Sequence, residues 1–377
     1  MPSSEKIMRS PPEIKNKEEL LALKQEDEKR SKPANWILSP KAVMKFIVGT
    51  KEPIKYIIDS QKKEVQITRK FYGDDILIQR AIATLASNRG LLLIGEPGTA
   101  KSWLSEHLAA AISGDSLNII QGTAGTTEDQ IKYSWNYALL LAKGPSLEAM
   151  VPAPLYKGME EGKIVRFEEI TRCPQEVQDT IISILSEKVL AIPELPPPAD
   201  ILFAKPGFNI IGTANTRDRG VNEMSSALKR RFNFETISPL ESIEEETRLV
   251  TEQTEYFLVK SGLQREVPQD VVELLTTTFN ELRRGVSEDG RQIDQPTAVM
   301  STAEAVDVSI NASLYSHYIE DTPLSPKSLV LNLIGTIVKD NREDLEKLQK
   351  YFDIIIKARK DTNKHWNEYY EASKYLR

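Results

Sequence analysis

Apolar residues along this chain follow two regimes. Up to about residue 236, short continuous apolar runs alternate with stretches whose apolar positions recur near every 3.6 residues. The runs are Leu91–Ile94, SLNIIQ (116–121), Lys163–Phe167 and FNIIGTAN (208–215). Continuous apolar strands separated by amphipathic helices predict a parallel sheet covered on both faces. The helix over Asp74–Asn88 is typical, with Ile76, Ile78, Ala81, Ile82 and Leu85 near one period and Gly90 as its stop. From about residue 236 only helical patterns remain, ending in a stripe of Leu345, Leu348, Phe352, Ile355 and Ile356 with lysines opposite. That stripe predicts docking on the helical domain, with partner binding as the alternative.

The remaining segments read as follows. Residues 1–34 are polar and charge-dense, with a short helical pattern at Asn16–Arg30, and predict a poorly ordered arm. Ser39-Pro40 opens a short helix as N-cap and first-turn proline. Residues 54–72 fit either a strand pair or a strand with a helix lead-in. EDQIKYSWNYALLLAKG (128–144) reads as helical and aromatic, and VLAIPELPPPADILFA (189–204) as a hairpin with a proline-rich tip. The division expected is an N-terminal arm (1–34), an α/β domain (35–236) and a helical domain (237–377).

Composition narrows the class. The 377 residues are 40% hydrophobic and 28% charged, enough for two or three domains with cores of their own. A formal charge of −6 argues against a dedicated nucleic-acid binder, which carries a basic excess. One cysteine, Cys173, forms no internal disulfide, and His107, His317 and His365 are too scattered for a metal cluster. The N-terminus lacks the apolar core of a signal peptide, and no run approaches the ~18 apolar residues that span a bilayer. A cytoplasmic protein with no membrane partner is expected.

The chemistry concentrates after the first apolar run. Gly95-Glu96-Pro97-Gly98-Thr99-Ala100-Lys101-Ser102 matches the phosphate-loop pattern G-x-x-x-x-G-K-[ST], with a strand before it and a helix after it. Glycines let successive backbone N–H groups face anionic oxygens. Lys101 then reaches the β- and γ-phosphates, Ser102 ligates Mg²⁺, and the helix N-terminus adds its positive end. The expected ligands are ATP and Mg²⁺.

Phosphoryl transfer also needs a metal-organising acid and a group that handles the attacking water. The strand Lys163–Phe167 ends in Glu168-Glu169, at the sheet edge where ligands bind in open parallel sheets. Glu168 is assigned to Mg²⁺, directly or through water, and Glu169 to polarising the water. Asn215, ending the FNIIGTAN strand, can orient that water with its amide. Arg230-Arg231 supply a basic pair able to stabilise transition-state charge in trans, with Arg231 the first choice.

GEPGTAKS, IVRFEEI, GTAN and ALKRRF, in that order and spacing, resemble the AAA+ ATPases and in particular their MoxR-like branch. The resemblance covers roughly residues 70–340 and implies a three-layer P-loop core with a helical lid. Carried over, it gives Lys101 and Ser102 to phosphate and Mg²⁺, Glu169 to water activation, Asn215 to γ-phosphate sensing and Arg231 to a neighbouring subunit's ATP. It implies a homo-oligomeric ring, usually hexameric, and a protein client, among them proteins with a von Willebrand factor A domain. Tyr72, Gly73 and Asp74 fall where related ATPases contact adenine. Tyr133, Trp135 and Tyr137 fall where related rings face a central pore, with core packing as the alternative.

Two departures stand out. The family has Asp where Glu168 stands, and the extra methylene carries the carboxylate about 1.5 Å further. Its sensor-2 arginine is replaced by Thr297, with Arg291 a weak substitute. A nucleic-acid translocase on the same fold and a nucleotide-gated scaffold with weak hydrolysis are the competing functions.

Overall fold

The computed structural model describes residues 8–216, 222–263, 266–339 and 341–377. It divides into two units, one running to Glu96 and again over Ala100–Ile237, the other comprising Ser238–Arg377 with Pro97–Thr99. Among the described residues no helix is long and apolar enough to cross a membrane.

The first unit begins with helices α1 (Pro12–Lys15), α2 (Lys17–Glu26) and α3 (Pro40–Val48), followed by an antiparallel hairpin of β1 (Ile54–Ile58) and β2 (Gln61–Val65). Helix α4 (Asp75–Leu85) leads to β3 (Gly90–Gly95), and α5 (Lys101–Ser113) leads to β4 (Ile119–Gln121). A hairpin of β5 (Tyr133–Trp135) and β6 (Met150–Pro152) precedes β7 (Ile164–Glu168). A second, of β8 (Val189–Ala191) and β9 (Ile201–Phe203), precedes β10 (Asn209–Asn215), and β11 (Phe232–Ile237) closes the unit.

Five strands form the parallel sheet in the order β11-β3-β10-β7-β4. Burial on both faces is why β3 reads as an unbroken apolar run and why β7 and β10 are largely apolar. The register sets the site: Asn215 lies opposite Gly95, Gly212 opposite Phe167, and Gln121 opposite Glu168. The strand ends that carry the motifs therefore share one edge. Asn209, 1% exposed, secures the entry to β3 by donating its amide to the carbonyls of Leu85 at 3.2 Å and Arg89 at 3.0 Å.

The arm departs from its sequence reading. Residues 1–7 lie outside the described residues, but α2 buries Ala22 and Leu23 completely in the core with Phe46, Ile47 and Leu108. Polar anchors fix it: Glu19 accepts from Lys70 and from Thr68 at 3.0 Å, and Asp27 accepts from the Ser39 amide and hydroxyl at 2.5 Å each. The 128–144 stretch also differs from a single helix. It breaks into a turn of helix at Glu128–Ile131, strand β5, and a short helix Tyr137–Lys143 with no buried residue. Tyr133 and Trp135 pack edge to face at 6.0 Å against the core, whereas Tyr137 is 75% exposed.

Helix α5 is buried on nearly every side, His107 included at 2% exposure. Its Nδ1–H donates to the Trp103 carbonyl at 2.8 Å. Burial disfavours the imidazolium and pulls the pKa from 6.5 to about 3; the Trp103 carbonyl opposes this, and the charges of Lys70, Lys15 and Arg166 reinforce it. Between those values the unfolded chain binds a proton that the folded chain refuses, so stability rises with pH up to about 6.5 and falls as acid is added. His107→Gln should flatten that slope by up to about 1.4 kcal/mol per pH unit, read from urea unfolding at about pH 5 and pH 7.

The second unit is a helical assembly: Ile243–Lys260, Gln269–Arg284, Thr302–Tyr315, Pro326–Ile337, Glu343–Tyr351 and Lys364–Glu371. Its core holds Phe279, Phe352 and Tyr369, and takes in Leu348, Ile355 and Ile356 from the C-terminal stripe, with Leu345 packed against it. Thr297, the position expected of sensor 2, donates its amide and hydroxyl to Asp344 at 2.8 and 2.5 Å. Arg291 pairs with Asp289 at 2.9 Å, half exposed. Both side chains serve local structure in this unit.

Candidate functional site

The loop between β3 and α5 is shaped by two left-handed residues, Gly98 at φ +75° and Ala100 at φ +64°. Such a turn brings consecutive amides into a concave nest suited to an anion. Lys101 is 5% exposed, and its ammonium donates to the carbonyls of Glu96 at 2.6 Å and Gly95 at 3.1 Å. The charge thus lies along the loop's own inner edge.

Ser102, one residue on, donates its hydroxyl to Glu168 Oε2 at 2.6 Å. Glu168, 3% exposed, receives three further donors: Thr213 Oγ1 at 2.7 Å on the same oxygen, Ser105 Oγ at 2.6 Å and Arg166 Nη2 at 2.9 Å on the other. The longer acid is accommodated because α5 offers a second hydroxyl one turn after Ser102.

Glu169 turns the opposite way. Its backbone sits at φ +54°, a left-handed conformation costing about 1–2 kcal/mol for a residue with a side chain, of the kind that clusters at functional sites. The Asn215 amide donates to both of its carboxylate oxygens at 3.0 and 3.1 Å, and Arg172 lies 3.4 Å away. Thr213 bridges the two acids, donating to Glu168 and accepting the Glu169 amide at 3.0 Å. Gly122, at the end of β4, donates its amide to the Glu168 carbonyl at 2.7 Å; a Cβ there would fall 2.3 Å from the Glu169 carbonyl oxygen. Only glycine fits.

The structure thus brings together Gly95, Lys101, Ser102, Glu168, Glu169 and Asn215. Ser105, Arg166, Thr213 and Gly122 complete the set and escaped the motif reading. Arg166 alone gave a signal: a charge inside an apolar strand, two residues from Glu168 and so on the same face.

Arg231 is held within its own chain, donating to Ser186 Oγ at 2.8 Å and the Ala227 carbonyl at 3.0 Å. Arg230 is exposed, and its carbonyl accepts from Arg89. Near the adenine candidates, Arg69 stacks on the Tyr72 ring at 5.7 Å and donates to the Gly73 carbonyl at 3.3 Å. Burial raises the Cys173 thiol pKa, the wrong direction for a nucleophile.

The residues fit a nucleoside triphosphate with a divalent cation. Ser102 commits its proton to Glu168, which leaves its lone pairs for a metal, while Glu168 has two donors on each oxygen.

Comparison with known proteins gives the family. Residues 90–232 match the family described as AAA domain (dynein-related subfamily), and residues 244–377 match the YehL-like AAA+ ATPase C-terminal domain. The chain is 48% identical over 371 residues to the protein YehL of Escherichia coli (strain K12), covering 98% of each. It is 26% identical over 160 residues to a Staphylococcus aureus (strain USA300) protein, covering 42% of this chain and 59% of that one. Among solved structures it is similar to NtrX of Brucella abortus, with a TM-score of 0.49 and 12% identity over 81% of this chain and 64% of that one.

Proposed function

The chain belongs to the YehL-like AAA+ ATPases, and on that premise we propose that it binds Mg²⁺·ATP and hydrolyses it to ADP and phosphate. The observation that carries the proposal is the Glu169 carboxylate, clamped by the Asn215 amide beside the strand end that opens the phosphate loop. Lys101 offsets charge on the β- and γ-phosphates, and Ser102 holds the cation with Glu168 behind it. Mg²⁺, when bound, neutralises charge that develops during transfer. Glu169 accepts the proton of the attacking water, and Asn215 fixes the rotamer from which it does so.

The site is completed, in this reading, by an arginine from a second copy in a ring. Arg230 suits that role better than Arg231, because Arg231 is tied to Ser186 and Ala227 while Arg230 is exposed. Arg230→Ala should lower kcat on the order of 10³-fold, as loss of an arginine finger does. Arg231→Ala should act mainly through stability. Mixing Arg230→Ala with Glu169→Gln protein should restore part of the turnover, since each supplies what the other lacks. Mixtures as inactive as their components would refute the shared site.

The finer reading is MoxR-like remodelling of a protein client, for which a von Willebrand factor A domain protein is the partner that the motif resemblance implies. The short helix Tyr137–Lys143 supports it by presenting Tyr137 and Leu141 at 75% and 89% exposure. The acidic balance of the chain favours a protein client over nucleic acid.

A further inference from the structure

Arg166 is a guanidinium in the middle of a buried sheet. It lies on β7 between Val165 and Phe167, both 0% exposed, and is itself 6% exposed. A buried charge is costly unless it is paired and hydrogen-bonded, and Arg166 is paired with Glu168 and uses four of its five N–H groups. Its Nη2 donates to Glu168 Oε1 at 2.9 Å and to the Ser102 carbonyl at 3.2 Å, its Nε to Ser105 Oγ at 3.0 Å, and its Nη1 to the Ser116 carbonyl at 2.9 Å. Two of these bonds reach α5 within its first five residues, where the phosphate loop becomes helix. The third, to Glu168, reaches the acid that takes the Ser102 proton.

We propose that Arg166 is a positioning residue for the metal: it fixes Glu168, and through Glu168 it orients the Ser102 lone pairs toward a bound cation. This rests on the reading of the site as one for Mg²⁺·ATP. The longer side chain at position 168 then has a physical role. A glutamate reaches Ser102, Ser105, Thr213 and Arg166 together, and the guanidinium balances its charge. The effect through Glu168 and the Ser102 hydroxyl appears as a loss of the metal-assisted part of binding, beyond any loss shared with metal-free nucleotide.

The test is isothermal titration of the full chain with a non-hydrolysable ATP analogue, in excess Mg²⁺ and in EDTA. The ratio of the two affinities is the metal gain. Arg166→Met should cut that gain about tenfold, the worth of one charge-assisted hydrogen bond, over and above any loss it causes in EDTA. Arg166→Lys should recover part of it, and Arg166→Met should add nothing in a Ser102→Ala background. Thr213→Val, which removes one neutral donor from Glu168, should lower the gain less, and together with Arg166→Lys it decides the matter if Arg166→Met does not fold. An unchanged or increased gain, an equal loss in EDTA, or additivity with Ser102→Ala would overturn the proposal. A wild-type protein with no metal gain would instead overturn the Mg²⁺·ATP reading itself.

Discussion

Lys101→Ala should lower ATP affinity by about 10²–10⁴-fold while leaving the fold in place. The ammonium lies inside the loop, 2.6 Å from one carbonyl and 3.1 Å from another, at the first position of α5. Bound phosphate would take from it two charge-assisted hydrogen bonds worth about 1.5–3 kcal/mol each, and each 1.4 kcal/mol is about tenfold in affinity. Alanine is the best helix former, so the start of α5 should persist and the melting temperature should move little. Lys101→Met, which keeps the buried stem, should bind as poorly as alanine. Calorimetric titration with ATP beside a thermal melt checks both parts.

Glu169→Gln should separate binding from turnover. The substituted amide can still accept from Asn215 through its carbonyl oxygen, so the clamp at 3.0–3.1 Å survives in one of its two bonds. It cannot accept a proton. Loss of a general base lowers kcat by about 10²–10⁴-fold, and affinity for ATP should stay within about threefold because the isosteric amide keeps the shape of the side chain and one bond to Asn215. Steady-state phosphate release and nucleotide titration on the same preparation measure the two quantities.

What was legible in the sequence was whatever is local. The phosphate loop spans eight consecutive residues between a strand and a helix, and Glu168-Glu169 end an apolar strand, so both chemistry and context lie within one window. Asn215 was legible as a strand end, but its place opposite Gly95 depends on the order β11-β3-β10-β7-β4, which no single segment encodes. Ser105 and Thr213 were invisible because a serine on a helix and a threonine in a strand are ordinary until sheet register brings them to Glu168. Arg231 was the first choice of finger by its place beside Phe232, while its bonds to Ser186 and Ala227 reach one helix distant in sequence and one local to it and lie outside any motif. The N-terminal arm misled for a compositional reason. Its charges are not a solvated face throughout: Glu19 and Asp27 are buried anchors to Lys70 and Ser39, and they let a short apolar pair, Ala22 and Leu23, join the core.

On this reading one edge of the sheet holds phosphate with Lys101 and Ser102 and activates water with Glu169. The most direct test is phosphate release from saturating Mg²⁺·ATP by the wild-type protein and by Glu169→Gln, with ATP binding measured on each. Turnover by the wild type, its loss in Glu169→Gln and equal binding by both are the predicted result. Equal turnover by the two proteins, or ATP binding without turnover in the wild type, would contradict it.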